Sequence, residues 1–404
     1  MILESIFLFT AYVGTLTVIL TALGANVYDI REAKTKKQIA AHPHSRQLKK
    51  RPLISVLIST RDNERSIEYC LRSLFKNSYR KFEVIIVDNG SRDNTKTIIK
   101  NLIEEYPQKS IRLVARHSNK GNDALHKAYK KYGNGELVMV LDASSTTDKK
   151  ALHNAVTHLN MEPGIDVLSF KRDVLFAYST IGLLQKYENL LQYGSKKLAS
   201  ISNSDYTLST VDALYRQDVF VALGRQGKKT AITSLMPLIS VVQGNRKIRS
   251  YYANDAIVYA AIMPSFYRLL AQHYRLQRNR LQAVWSQRKL FFNNNPSYTK
   301  LLTWFRLPFA VSVGIVALCI PILLTYFIYL TVKLREPNLL ILSCVALAIL
   351  LLYAIWNDDH LKIQRKLALI LLIPVTYSVF YIMSFVQIFA VLRSLLWLPR
   401  TKPS

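Results

Sequence analysis

Cysteine is scarce: Cys70, Cys319 and Cys344 are the three in 404 residues. They lie too far apart for a disulfide framework or a thiolate metal site. The eight histidines include no HExxH pair, and His42 and His44 flank a proline in a basic segment that reads as solvated. No GxGxxG or Walker A sequence is present, which removes two common phosphate-binding loops. The formal net charge is +28, yet no helix-turn-helix, zinc-finger or RNA-binding signature accompanies it. That absence argues against nucleic acid as the partner. No internal repeat is visible.

Charge itself is missing from four stretches: Ile6–Val27, Leu307–Val332, Pro337–Asn357 and Leu367–Leu392. Each is long enough to cross a bilayer as a helix. The first is too long for a signal peptide and no small-residue cleavage site follows it, so it reads as a retained anchor. Arg31, Lys34, Lys36, Lys37, Arg46, Lys49, Lys50 and Arg51 follow directly. Basic residues beside a span mark the cytoplasmic side and attract anionic lipid. The expectation is a cytoplasmic domain between Arg31 and Arg306, four spans, and both termini outside. Ser265 to Leu290 reads as a basic, aromatic helix suited to the membrane interface.

What is present between the apolar stretches alternates between strand and helix. Ile54–Ile58, Glu83–Val87, Ile111–Val114 and Glu136–Leu141 read as strands. Helical spacing follows the first at Ile67, Cys70, Leu71 and Leu74. Further helices are expected from Asn94 to Tyr106, Ala124 to Tyr132 and Leu183 to Leu198. The alternation predicts an α/β domain with a doubly wound, mainly parallel sheet. Val211 to Val219 and Ile248 to Tyr252 are candidate strands in a less regular segment. Val84–Val87 is an unbroken β-branched run, as in a strand covered on both faces. Asp88 ends it, Asn89-Gly90 makes the turn, and Ser91 or Asp93 can cap the next helix. Ligands bind just beyond the carboxyl ends of such strands.

Four segments in order carry a resemblance: ISVLISTRDNE at Ile54–Glu64, VDNGSRDNT at Val87–Thr95, Asn119-Lys120-Gly121, and Leu141-Asp142-Ala143-Ser144. Together they resemble the membrane-bound family 2 glycosyltransferases, which include cellulose, hyaluronan and poly-N-acetylglucosamine synthases. The resemblance implies a GT-A fold and a nucleotide-sugar donor, expected to be a UDP-sugar, at the sheet's carboxyl edge. It implies that Thr60, Glu64 and Asp88 hold the base, that Lys120 offsets phosphate charge, and that Asp142 binds ribose or a divalent ion, Mg or Mn. A lipid or growing glycan would accept the sugar, with Gln277 and Arg280, in QRNRL, on the acceptor side.

The chain departs from the pattern at three places. Ser144 stands where the second acid of Asp-x-Asp belongs, which leaves one carboxylate for metal. The catalytic base position falls near Thr233, and no Asp or Glu occurs from Val219 through Asn254. Threonine is no base near neutral pH. Asp212 and Asp255 are the flanking carboxylates that can substitute. Leu281 replaces the usual tryptophan, with Trp285 one turn on. Two readings follow: an active membrane glycosyltransferase, or an inactive relative that binds nucleotide or glycan beside a partner synthase subunit. The expected organisation is an anchor at 1–30, a basic linker at 31–52, the α/β domain at 53–264, interface helices at 265–306 and three spans at 307–404.

Overall fold

The computed structural model describes residues 2–41, 51–115, 121–174, 179–202, 208–209, 211–226, 235–236, 248–263, 265–286, 291–294, 300–333, 335, 337–358, 361–374, 385, 388–389 and 392. The chain begins as one long helix, α1 (Ile2–Ala41). The helix continues through the first half of the segment expected to be a linker. Its Glu-Ala-Lys-Thr-Lys-Lys-Gln sequence contains neither Gly nor Pro, so nothing breaks the ladder where the polarity changes.

The α/β domain then runs β1 (Ile54–Thr60), α2 (Ile67–Phe75), β2 (Phe82–Asp88), α3 (Thr95–Glu105), β3 (Ile111–Ala115), α4 (Gly121–Tyr132) and β4 (Leu137–Asp142). These four strands are parallel. Every residue of β2 is buried. Its alternation separates two cores. Val84 and Ile86 meet Leu71, Leu74 and Ile99 of α2 and α3 on one face. Ile85 and Val87 meet Leu125 and Tyr129 of α4 on the other. Each fully buried aliphatic side chain contributes about 1.5–3 kcal/mol, and that is what excludes polar residues from the run.

The less regular segment completes the sheet with β5 (Thr146–Thr147), α5 (Ala151–Met161), β6 (Val167–Val174), α6 (Thr180–Ser202), β8 (Ala213–Arg216), α7 (Gln217–Gln226) and β10 (Ser250–Ala260). A separate short pair joins β7 (Leu208–Ser209) to β9 (Leu235–Met236). The order of the large sheet is β3-β2-β1-β4-β8-β6-β10-β5. β8 is antiparallel to both β4 and β6, whereas β6 and β10 are parallel. The strand expected over Val211 to Val219 is therefore only four residues long. Gln217 starts a helix there, with Asp218 in its first turn and Val219 and Phe220 buried on one side.

A third apolar cluster ties the domain to the flanking helices α10 (Asn338–Trp356) and α11 (Ile363–Leu371) and to α1. It holds Tyr28 of α1, Tyr187, Leu190 and Tyr193 of α6, Tyr252 of β10, Leu351 and Ile355 of α10, and Leu369 of α11. A methyl group on Gly24 of α1 would sit 2.4 Å from Leu198 Cδ1, so glycine permits the close approach of α1 to α6. Asp29 and Lys197 pair at 2.6 Å beside it. Another helix, α9 (Leu307–Lys333), also packs on α1. Helix α8 (Phe266–Ser286) docks through Leu269 on Leu184 and through His273 on Glu188 at 3.0 Å.

Among the described residues one helical stretch, Tyr12–Lys34, is long and apolar enough to cross a membrane. Cys319–Lys333 and Leu340–Trp356 are shorter apolar stretches. Most of Leu367–Leu392 lies outside the described residues.

Candidate functional site

Strand register gathers the acidic strand ends. Thr60 lies opposite Asp88 and Ser59 opposite Asp142, so β1, β2 and β4 finish together at one edge. Two loops at this edge are laced to each other. Asp88 is fully buried and closes its own turn. Its carboxylate accepts the Gly90 N–H at 3.2 Å, the Ser91 N–H at 3.2 Å and the Ser91 hydroxyl. Lys96 approaches Oδ2 at 3.3 Å. Gly90 adopts φ 84, a backbone conformation glycine reaches without a Cβ clash.

The reciprocal bonds run between loops. Asp93 accepts the Glu64 N–H at 3.0 Å, and Glu64 accepts the Asn94 N–H at 3.1 Å. Asp62 accepts the Arg92 N–H at 2.8 Å, and Ser91 Oγ accepts the Asp62 N–H at 3.1 Å. Asp93 also takes the Thr95 N–H and hydroxyl, at 3.0 and 2.5 Å, so the helix start is satisfied by Asp93 and Glu64 rather than by Ser91. Burial pushes the Asp93 carboxyl up, but these donors outweigh it and hold the group below its ordinary range. Thr60 donates its hydroxyl to Asn63 Oδ1 at 3.2 Å. Thr60, Glu64 and Asp88 are thus brought together, with Glu64 and Asp88 engaged in holding the edge rigid.

The other half of the edge is less tightly committed. Asp142 ends β4, and its Oδ1 accepts both the N–H and the hydroxyl of Ser144 at 2.9 Å. Ser144 therefore serves Asp142 as a donor. Asp212, just before β8, is 3% exposed and adopts φ 58. Its Oδ1 lies 3.4 Å from the Asp142 N–H, whereas its buried Oδ2 has no hydrogen-bond partner. Arg172 Nε of β6 approaches that oxygen at 3.6 Å. Burial raises the Asp212 carboxyl above its ordinary range, Arg172 opposes the rise, and Asp142 adds to it. Asp255, the other alternative carboxylate, faces His158 Nε2 of α5 at 2.7 Å. Asp212 is accordingly the one adjoining Asp142.

Among the described residues no group of three or more His, Cys, Asp or Glu side chains is arranged to hold a metal ion. Asp142 offers one oxygen that Ser144 does not engage, and the nearby Asp212 is buried behind it. The donor set does not fit a two-carboxylate clamp. Lys120 and Thr233 lie outside the described residues. Gln277 and Arg280 sit three residues apart on α8, and hence on one side of that helix. Sequence reasoning had no signal for Arg172, because β6 itself was not legible.

An open, mainly parallel sheet with acidic strand ends converging at its carboxyl edge defines a doubly wound α/β domain, and that edge is where sheets of this kind bind ligands. The sequence profile of Glycosyl transferase family 2 matches residues 55–224. Glycosyltransferase AglE of Haloferax volcanii is 26% identical over 176 residues, 43% of this chain and 55% of that protein. Poly-beta-1,6-N-acetyl-D-glucosamine synthase of Staphylococcus aureus is 25% identical over 173 residues, 42% of this chain and 41% of that protein. The chain thus matches about half of each relative's length. The mannosyltransferase PcManGT from Pyrobaculum calidifontis, solved with GDP-Man and Mn2+, superposes with a TM-score of 0.53 at 16% identity. The superposition covers 95% of this chain and 99% of that one. The α/β domain thus has the GT-A fold and matches Glycosyl transferase family 2 over residues 55–224.

Proposed function

We propose that the protein is a membrane-anchored glycosyltransferase. It binds a nucleoside diphosphate sugar at the carboxyl edge and passes the sugar to a lipid or growing glycan. The observation that carries this reading is the convergence of Thr60, Asp88 and Asp142 at one edge through strand register. The laced loops make that edge rigid before ligand arrives, which reduces the ordering cost of binding. Lys120 and Arg172 are the cations suited to phosphate, and the family resemblance assigns Gln277 and Arg280 to the acceptor side. A UDP-sugar is the first candidate donor, and a GDP-sugar is the alternative raised by the structural neighbour.

Membrane attachment is supported by where the apolar helices meet the domain. α1 reaches it at Tyr28 and Asp29, and α10 returns to it at Asp358. The α10 contact falls just past the end of its helix, and the α1 contact falls inside its helix where the apolar stretch gives way to charged residues. A bilayer around the more distant parts of α1, α9 and α10 leaves the domain on one side, taken as the cytoplasmic side from the basic run after Val27. A probe cysteine at Asn101 should then resist labelling from outside intact cells.

The inactive-relative reading is favoured by one observation, the missing carboxylates at Thr233 and Ser144. Purified protein in detergent, given a panel of UDP- and GDP-sugars with a lipid or glycan acceptor, decides between the two. Release of nucleoside diphosphate coupled to glycan formation supports the enzyme. Binding without turnover, together with turnover gained by Thr233→Asp plus Ser144→Asp, supports the inactive relative.

A further inference from the structure

We propose that Arg172, held by Asp212, is the fixed cation that receives the donor's diphosphate beside Asp142, where the carboxylate pair for a metal clamp is incomplete. The proposal rests on the reading of this edge as a donor site and assigns a residue that the motifs do not contain.

The placement follows from register. Ala213 of β8 lies opposite Val140 of β4 on one side and Ser169 of β6 on the other. Asp212 bridges the next rung: its N–H donates to the Val140 carbonyl at 2.7 Å, and its own carbonyl accepts the Phe170 N–H at 3.2 Å. Asp142 and Arg172 lie two residues further along β4 and β6, toward the same edge as Asp88. β8 runs the other way, so its start delivers Asp212 between the ends of its two neighbours. The φ of 58 at Asp212 is a conformation aspartate tolerates better than most residues.

The chemistry then separates the two side chains. Asp212 is buried and cannot reach a ligand without displacing its surroundings. Arg172 is 32% exposed, and Nε is the nitrogen that faces Asp212. A guanidinium fork matches phosphate oxygens in pairs, whereas a single carboxylate would repel them. The strand tip is also pinned. On either side of Arg172, Lys171 pairs with Asp358 at 2.7 Å and Asp173 with Lys186 at 2.7 Å, both buried. An anchored tip keeps a long arginine in register with the edge.

The test uses the full chain in detergent micelles, with binding of UDP, GDP, uridine and guanosine measured in EDTA and again with Mn2+. Wild type should bind one diphosphate more tightly than its nucleoside in EDTA. Arg172→Ala should weaken the diphosphate by about tenfold or more and leave the nucleoside within about twofold, as for a lost charge-assisted pair. Asp212→Asn should weaken the diphosphate less, and Arg172→Lys should retain part of the affinity. Should Arg172→Ala not fold, Arg172→Lys carries the comparison, with a selective loss of diphosphate affinity at unchanged Tm. Equal loss of nucleoside and diphosphate, or unchanged diphosphate affinity in Arg172→Ala, overturns the assignment while leaving the donor site standing. Failure of wild type to bind any of the four ligands overturns the donor-site reading itself, and the assignment with it.

Discussion

The β1–β2 half of the carboxyl edge and the β4–β8–β6 half use carboxylates in opposite ways. In the first, Asp62, Glu64, Asp88 and Asp93 accept backbone N–H groups from each other's loops or from their own turn. In the second, Asp212 is buried with an oxygen that no hydrogen bond satisfies, and Arg172 answers it only at 3.6 Å. The first half is stabilised by its acids. The second tolerates an acid because a cation stands next to it. In the proposed donor site the rigid half would shape the nucleoside pocket and the other half would supply charge for the diphosphate.

The largest expected effect is at the pin behind the second half. Asp358 meets Lys171 at 2.7 Å and Lys186 at 3.4 Å, and its side chain is wholly buried. Removing one partner of a buried ion pair typically costs about 3–5 kcal/mol. Asp358→Ala should lower stability by that amount in denaturant unfolding of the detergent-solubilised protein. It should also weaken diphosphate binding more than nucleoside binding. A loss below about 1 kcal/mol, typical of exposed pairs, would show that the network does not hold the strand tip.

Asp88→Ala comes next. It leaves the Gly90 and Ser91 N–H groups and Lys96 without their acceptor. Unsatisfied buried donors cost about 1–3 kcal/mol, and nucleotide affinity should fall by a similar amount. Calorimetry and thermal unfolding should move together. Lost affinity at unchanged Tm would mean that Asp88 serves ligand and not the turn. Glu64→Ala removes the acceptor of the Asn94 N–H at the start of α3, and should cost about 1 kcal/mol, as lost helix caps do. Amide exchange at Asn94 is the local readout.

The smallest effect is a difference of slope with pH. The folded-state pKa of Asp93 lies below the ordinary aspartate value of 3.8, so its contribution is present above that value and is lost as pH falls through the folded one. Asp212 is shifted the other way. Its ionised form opposes folding, so stability is lost as pH rises from 3.8 through its folded value. Relative to wild type, Asp93→Asn should become more destabilising as pH rises from 3 to 6, and Asp212→Asn less so. Parallel slopes would erase the contrast between the two halves.

The sequence by itself was enough for the first four strands, because β2 is covered on both faces and its Val84–Val87 run must be apolar, and each strand end is marked by turn or acidic residues. It was also enough to bring Thr60, Asp88 and Asp142 to one edge of the sheet, since parallel strands of similar length end together. The resemblance to family 2 glycosyltransferases followed from the same residues. β6 was not legible: Ser169, Lys171, Arg172 and Asp173 interrupt its apolar pattern. Lys171 and Arg172 find their partners far along the chain in Asp358 and Asp212, and Asp173 pairs with Lys186 of α6. Glu64 was legible as an edge residue but not as the acceptor for Asn94, because that bond depends on how two loops meet. Tertiary structure alone decided which of Asp212 and Asp255 adjoins Asp142. An antiparallel β8 carries Asp212 to that strand end, whereas Asp255 is turned to His158, and neither outcome is encoded in local spacing.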